Sequence, residues 1–124
     1  MRADAAALDG DLASIGRAQS AAIDAVDQAV DWLVANFSVD PKAAHTAAVP
    51  FLFLLGITAG GWQLGRAAVI ARSRIAAGDS DPFWAAKLAT VSFYAAHSLT
   101  QAPGLTASIL AGGAGVSEMA DESF

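Results

Sequence analysis

Clusters of turn-forming residues occur at only four places in this chain. They lie at 38–41, 78–82, 101–104 and 112–115, and the sequence between them lacks the alternating apolar and polar pattern of β-strands. The first stretch instead repeats apolar residues three and four positions apart, as an amphipathic helix does. The sequence therefore predicts an all-α fold, an antiparallel helical bundle of three long helices plus a short C-terminal helix.

The first predicted helix covers about 4–36. Its aspartates Asp24, Asp27 and Asp31 are spaced three and four positions apart, so they share one face of the helix. No histidine stands beside them, and we interpret this face as solvated.

The second predicted helix covers roughly 42–77. In the dipeptide Asp40-Pro41, the aspartate can cap exposed amides, and the proline lacks only an N–H that would have no partner in the first helical turn. Gly78 is a typical left-handed terminator. Pro50 should either kink this helix or mark a start near Val49 after a separate turn.

The third predicted helix opens at Asp81-Pro82 with the same capping arrangement. Pro103 should kink or end it, which leaves 105–111 as a short fourth helix. We expect a single helical domain over 1–117 and a frayed acidic tail over 118–124. The residues predicted to form the core are Leu52, Leu55, Trp62, Leu88, Val91 and Leu99.

Composition excludes several classes of function. The chain has 124 residues, with 7 lysines and arginines against 12 aspartates and glutamates, so a basic nucleic-acid surface is not expected. It has no cysteine, which excludes disulfides, thiolate metal sites and cysteine nucleophiles. Such a chain suits a reducing compartment, and we expect a cytoplasmic protein.

One stretch raises the question of a membrane span. Residues 46–65 carry no charge and are long enough to cross a bilayer. Only 49–57 is strongly apolar, however, and the second uncharged stretch, 88–117, is too polar for a lipid-facing span. We favour a buried central helix of a soluble bundle over a small membrane hairpin. In either case the glycines of this stretch predict a close helix–helix contact, within the chain or across a dimer.

No residues have the spacing of a catalytic, cofactor or metal site. Both glutamates, Glu118 and Glu122, lie in the tail, so a di-metal carboxylate bundle lacks ligands. His45 and His97 lie on different predicted helices without an acidic residue three or four positions away. The glycines follow no predicted strand and do not form a phosphate loop. We therefore assign no catalytic, cofactor-binding or metal-binding residue to the chain.

Aromatic residues and helix glycines are instead candidates for an interface. Large aromatic side chains anchor cores and protein interfaces more often than they line ligand sites. At 55% hydrophobic residues, so short a chain has more apolar side chains than one small core can hide, and we expect a homo-oligomer. The candidate interface residues are Gly60, Gly61, Trp62, Trp84 and Tyr94.

Three blocks of the sequence carry a family resemblance. They are Asp31-Trp32-Leu33 with Asp40-Pro41 and 47–56; Ala59-Gly60-Gly61-Trp62 with Arg66-Ala67-Ala68; and Asp81-Pro82-Phe83-Trp84 with Lys87-Leu88-Ala89-Thr90, Phe93-Tyr94-Ala95-Ala96-His97 and Gln101. The third block is the most specific. Together the blocks resemble the extra C-terminal helical domain of a large bacterial group of acyl-CoA dehydrogenases, over nearly the whole chain.

The resemblance implies a noncatalytic domain of a flavoenzyme. Such enzymes bind FAD and oxidise an acyl-CoA to the enoyl-CoA, with a glutamate as the base, and that machinery belongs to a catalytic core outside this chain. The implied partner is this core, and the implied role is core packing, oligomer assembly or bordering the acyl-CoA entrance. The alternatives are a standalone helical interaction module and, less favoured, the membrane hairpin.

Overall fold

The computed structural model describes residues 1–113. No strand occurs in this range, so the all-α prediction is confirmed. The tail predicted for 118–124 lies outside the described residues. The helices are α1 (Arg2–Ala6), α2 (Ala13–Asn36), α3 (Pro41–Thr46), α4 (Ala48–Ala76), α5 (Pro82–His97) and α6 (Ala102–Leu110), with 3₁₀ turns at Gly10–Leu12 and Leu99–Gln101. The three long helices are α2, α4 and α5, and α6 is the predicted short fourth helix.

The predicted first helix is wrong at its N-terminal end, because α1 is separate from α2. Gly10 has a φ of +55°, which turns the chain between the two helices. The segment then lies against Gly16, where an added Cβ would be 2.7 Å from the carbonyl oxygen of Leu8. Arg2 donates to the carboxylate of Asp24 at 2.7 Å, so α1 is fixed along the side of α2.

The start of α4 confirms the second of the two alternatives for Pro50. The Asp40 carboxylate accepts a hydrogen bond from the Ala43 N–H at 3.0 Å and begins α3, which is the separate turn. Pro50 is the third residue of α4, so its missing N–H falls among amides that have no partner within the helix. Gly78, with a φ of +86°, ends this region as predicted.

The third helix ends earlier than predicted. Asp81 begins α5 by accepting from the Phe83 N–H at 2.9 Å, which confirms the capping prediction. The helix stops at His97, and Pro103 lies in the first turn of α6. The ring of Pro103 would clash with the carbonyl of Leu99, four residues earlier, if the helix continued regularly. The break between α5 and α6 therefore lies about one turn before the proline.

Helix α4 runs antiparallel to both α2 and α5. The Gln19 amide donates to the Thr58 carbonyl, while Arg72, one turn from the end of α4, pairs with Asp9 just before α2. On the other side, Tyr94 near the end of α5 reaches the first half of α4. Helix α6 closes the bundle against α2 and α4.

The core follows a narrow stripe of small side chains on α4. The buried residues recur three or four positions apart, and they are Leu54, Thr58, Gly61, Gly65, Ala68 and Ala71. The core predictions for Val91 and Leu99 are confirmed, and Trp62 and Leu88 are half-buried. Those for Leu52 and Leu55 are wrong, since their exposed fractions are 70% and 40%. Both flank Leu54, which is fully buried in their place.

Candidate functional site

Gly60 and Gly61 are used for packing within the chain. A Cβ at Gly60 would collide with the Tyr94 hydroxyl, and one at Gly61 would lie 2.7 Å from Leu99 and closer still to Gln19. These glycines therefore allow α5 and α2 to approach the backbone of α4. Whether they also contact another chain, as predicted, stays a prediction.

The Tyr94 hydroxyl is the polar contact between α4 and α5. It donates to the Ile57 carbonyl at 3.0 Å. This carbonyl belongs to an α-helix, so the bond comes in addition to the helical hydrogen bonding. Burial raises the pKa of Tyr94 above its ordinary value, so the hydroxyl keeps its proton when the bundle is folded.

Trp62 ties the N-terminal helix to α4. Its indole N–H donates to the Asp4 carboxylate at 2.5 Å, and this hydrogen bond is the main reason that the pKa of Asp4 is lowered. The Arg66 guanidinium lies over the Trp62 ring at 5.5 Å from its centroid. The predicted interface residue Trp62 is thus already engaged by the chain itself.

Trp84 lies at the opposite end of the bundle from the start of α4. Its ring meets the edge of Phe83 with the centroids 5.0 Å apart, and the Arg74 guanidinium lies 5.7 Å from its centroid. Trp84 is half-buried, whereas Phe83 is exposed. The structure therefore separates Trp84 from Gly60, Gly61 and Tyr94, so the five predicted residues do not form one patch.

The aspartate face of α2 is partly used for ion pairs. Arg2 pairs with both Asp24 and Asp27, and all three side chains stay more than half exposed. Near the end of α4, the Arg72 guanidinium donates to Asp9 at 2.8 Å and lowers the pKa of that carboxyl. Exposed pairs of this kind contribute little to stability, so we interpret them as positioning contacts.

An apolar surface at the end of α2 was not predicted from the sequence. Val34, Phe37 and Val39 expose 75%, 63% and 81% of their surface. The sequence signal was present, because Val30 and Phe37 extend the apolar stripe of the first helix. Its position past the end of the core became clear only from the fold.

A second apolar surface lies along α4. Val49, Leu52 and Gly56 are exposed, and an added Cβ at Gly56 would meet no atom within 4 Å. Beside this surface, an apolar cleft lies between α2 and α4, lined in part by Val26 and Leu55. Three of the four glycines of α4 thus pack within the chain, and the fourth, Gly56, is open.

Helix α4 also satisfies the length and composition of a membrane span. Its 18-residue window has a mean hydropathy of 1.4, and 22% of that window is buried. Soluble core helices pass the same test, so by itself this is a weak indication. We expected a buried central helix, but α4 is buried only along the stripe that includes Leu54, and its outer side is exposed.

The described residues do not fit a flavin. The cleft beside α1 and α2, about 440 Å³, is shallow and is lined by small and polar side chains such as Ala5 and Ser20. A bound cofactor is normally enclosed over most of its surface and held by convergent polar groups. Within residues 1–113, no group of three or more metal-ligating side chains comes together, and His45 and His97 are both exposed.

A family model described as acetyl-CoA dehydrogenase C-terminal like matches residues 1–120. The chain belongs to this family. A curated relative, the 3-methylmercaptopropionyl-CoA dehydrogenase of Ruegeria pomeroyi, is 40% identical over 72 residues, which are 58% of this chain and 12% of the relative. The chain therefore corresponds to a small part of that dehydrogenase. No solved structure matches it.

The acetyl-CoA dehydrogenase C-terminal-like match includes every described helix. It confirms the resemblance carried by the three sequence blocks, and it identifies the six-helix arrangement as the domain of this family.

Proposed function

We propose that this chain acts in the cytoplasm as the noncatalytic C-terminal domain of an FAD-dependent acyl-CoA dehydrogenase, and that it packs on the catalytic core of that enzyme. Such an enzyme oxidises an acyl-CoA to the enoyl-CoA, with FAD as the electron acceptor. Within that enzyme we assign the flavin and the base to the catalytic core, and to this chain a packing role.

The observation that supports core packing is the exposed surface formed by Val34, Phe37 and Val39. Burial of apolar surface is worth about 25 cal/mol per Å², and a group of large exposed apolar side chains usually marks a contact with another protein. The three residues lie at the end of α2 and in the turn after it, clear of the chain's own core. They are therefore the residues expected to meet the catalytic core.

The first test asks whether the chain is part of a flavoprotein. An antibody against this chain should detect, in a lysate of the source organism, a band well above 12.5 kDa that elutes with flavin absorbance. A band at 12.5 kDa, eluting without flavin, would contradict the proposal and favour the standalone interaction module.

The second test addresses the surface in that flavoprotein. Phe37→Glu should lower the thermal midpoint of the catalytic core, because it places a charge in the proposed contact. The matched control is Ile75→Glu, an exposed apolar residue near the far end of α4, which should leave the midpoint unchanged. Equal effects of the two substitutions would show that the end of α2 does not contact the core.

A further inference from the structure

The outer face of α4 consists of Val49, Leu52, Gly56, Ala59 and Gln63. Their spacings of three, four, three and four place them on one stripe, which is about 21 Å long at about 1.5 Å per residue. Four of the five residues are exposed, and Ala59 is half-buried. None is charged, whereas the solvated face of an amphipathic helix is normally rich in charge. The chain's own fold gives no reason for this composition.

Side-chain size changes along the outer face in a way that makes it complementary to itself. Val49 and Leu52 are large, whereas Gly56 and Ala59 are small, and the backbone at Gly56 has no atom within 4 Å of an added Cβ. If an identical helix lies antiparallel on this face, Leu52 of each copy meets the small Ala59 of the other, and the two open glycines face each other. A two-fold axis at the open glycine gives this match, and identical surfaces meet in this way in two-fold dimers.

We propose that two copies of this chain pair through the outer face of α4, with the two α4 helices antiparallel about a two-fold axis at Gly56. Leu52 then packs beside Ala59 of the second copy, and Val49 packs beside its Gln63. This pairing goes beyond the core packing proposed above, and it requires no residue of the catalytic core.

The charges around the outer face fit a second copy. The uncharged stretch 46–65 is centred next to Gly56, so the pairing buries no charge along either helix. Asp27 lines the cleft beside Leu55 and Ala59, and Asp31 lies one turn further along α2, toward the start of α4. The antiparallel arrangement brings the second copy's Arg66 to this end. Asp27 is already paired with Arg2, so Asp31 supplies the charge opposite Arg66, and the two-fold axis repeats this pair at the other end of the interface.

Single cysteines test the register directly, because the chain has no cysteine of its own. Helices packed about 8–10 Å apart bring facing Cα atoms, each about 2.3 Å from its axis, within reach of a disulfide. Gly56→Cys should therefore form a covalent dimer under mild oxidation. The matched control is Gly104→Cys on α6, another exposed helix glycine with no atom within 4 Å of an added Cβ, and it should stay monomeric on a non-reducing gel.

A second pair of variants fixes the helix direction. In the antiparallel pair, the two copies of Leu52 are offset by about 12 Å along the helices, too far for a disulfide. Leu52→Cys alone should not cross-link, whereas a mixture of Leu52→Cys and Ala59→Cys chains should. Efficient cross-linking of Leu52→Cys by itself would indicate parallel helices and overturn the proposed axis.

Sedimentation of the 124-residue chain provides the measurement without cross-links. We expect the unmodified chain to have twice its monomer mass of 12.5 kDa, Gly56→Trp to be monomeric with an unchanged circular dichroism spectrum, and Gly104→Trp to remain dimeric. A monomeric unmodified chain would overturn the proposal. If that monomer also bound neutral lipid vesicles through Leu52, the outer face would be a lipid contact instead. The proposed function is tested separately by flavin co-elution, so either idea can fail without the other.

Discussion

Gly16 is the position where one added methyl group should have the clearest effect. A Cβ there would lie 2.7 Å from the Leu8 carbonyl oxygen and 2.9 Å from that of Ala5. Both are backbone atoms, so no side-chain rotation relieves the collision. Gly16→Ala must therefore either strain the contact or move α1 and the turn after it away from α2.

The two responses have similar costs. Overpacking costs about 1–3 kcal/mol, and undocking exposes the buried side chain of Leu8, which is worth about 1.5–3 kcal/mol. Alanine returns up to about 1 kcal/mol through its higher helix propensity. Subtracting this gain leaves an expected net loss in the free energy of unfolding of about 0–2 kcal/mol, so Gly16→Ala should be about 1–3 kcal/mol less stable than a helix Gly→Ala change without the collision.

Urea unfolding followed by circular dichroism measures this loss, with Gly104→Ala as the control, because its added Cβ meets nothing within 4 Å. The control should be neutral or up to about 1 kcal/mol more stable. Leu8→Ala should also cost less in the Gly16→Ala background than alone, because the segment is already loosened. If Gly16→Ala is as stable as Gly104→Ala, the close docking of α1 on α2 is refuted.

Three further predictions concern single polar groups. Tyr94→Phe should lower the free energy of unfolding by about 1 kcal/mol in urea, because the hydrogen bond from the Tyr94 hydroxyl to the Ile57 carbonyl is lost, and an unchanged midpoint would contradict this. Burial raises the pKa of Tyr94, so its contribution to stability is present below its ordinary pKa of 10.0 and is lost as pH rises through the higher pKa of the folded state. Alkaline unfolding of the unmodified chain and of Tyr94→Phe measures this loss. The hydrogen bond from the Trp62 N–H lowers the pKa of Asp4. The contribution of Asp4 to stability is therefore present above its ordinary pKa of 3.8 and is lost as pH falls through the lower pKa of the folded state. Acid unfolding followed by tryptophan fluorescence should show a smaller pH dependence for Asp4→Asn, and equal slopes would count against the hydrogen bond.

Local chemistry made several helix ends predictable. Asp40 and Asp81 each combine a capping carboxylate with a following proline, and Gly78 supplies a left-handed residue after the last turn of α4. These signals act within a few residues and do not depend on the rest of the fold. The separation of α1 from α2 was missed although Asp9-Gly10 is itself a local turn signal, and Gly10 has a positive φ as Gly78 does.

The errors in the core prediction have a physical cause. Leu52 and Leu55 were predicted to lie in the core, but the phase of α4 is set by the neighbours that approach Gly61 and Gly65. These small residues bury the helix backbone, so the stripe that includes Leu54 turns inward and the adjacent leucines turn outward. Gly60 and Gly61, two of the candidate interface residues, lie on the sides of α4 that pack within the chain.

The uncharged stretch 46–65 therefore has two causes, one for each side of α4. The inner side needs small and apolar residues because α2 and α5 pack closely on it. Within this stretch that requirement applies only to the buried positions, such as Leu54, Thr58 and Gly61. Packing on the inner side does not explain why the exposed residues Val49, Leu52 and Gly56 are uncharged. At Gly56, for example, an added Cβ would meet no other atom of the described bundle, so the chain itself leaves room for a lysine or glutamate. A membrane span needs apolar residues all round. Helix α4 instead has Gln63 on its outer side, and α2, which carries several aspartates, lies beside it. A protein surface accommodates both features, so the sequence of the outer face is best explained by a partner helix.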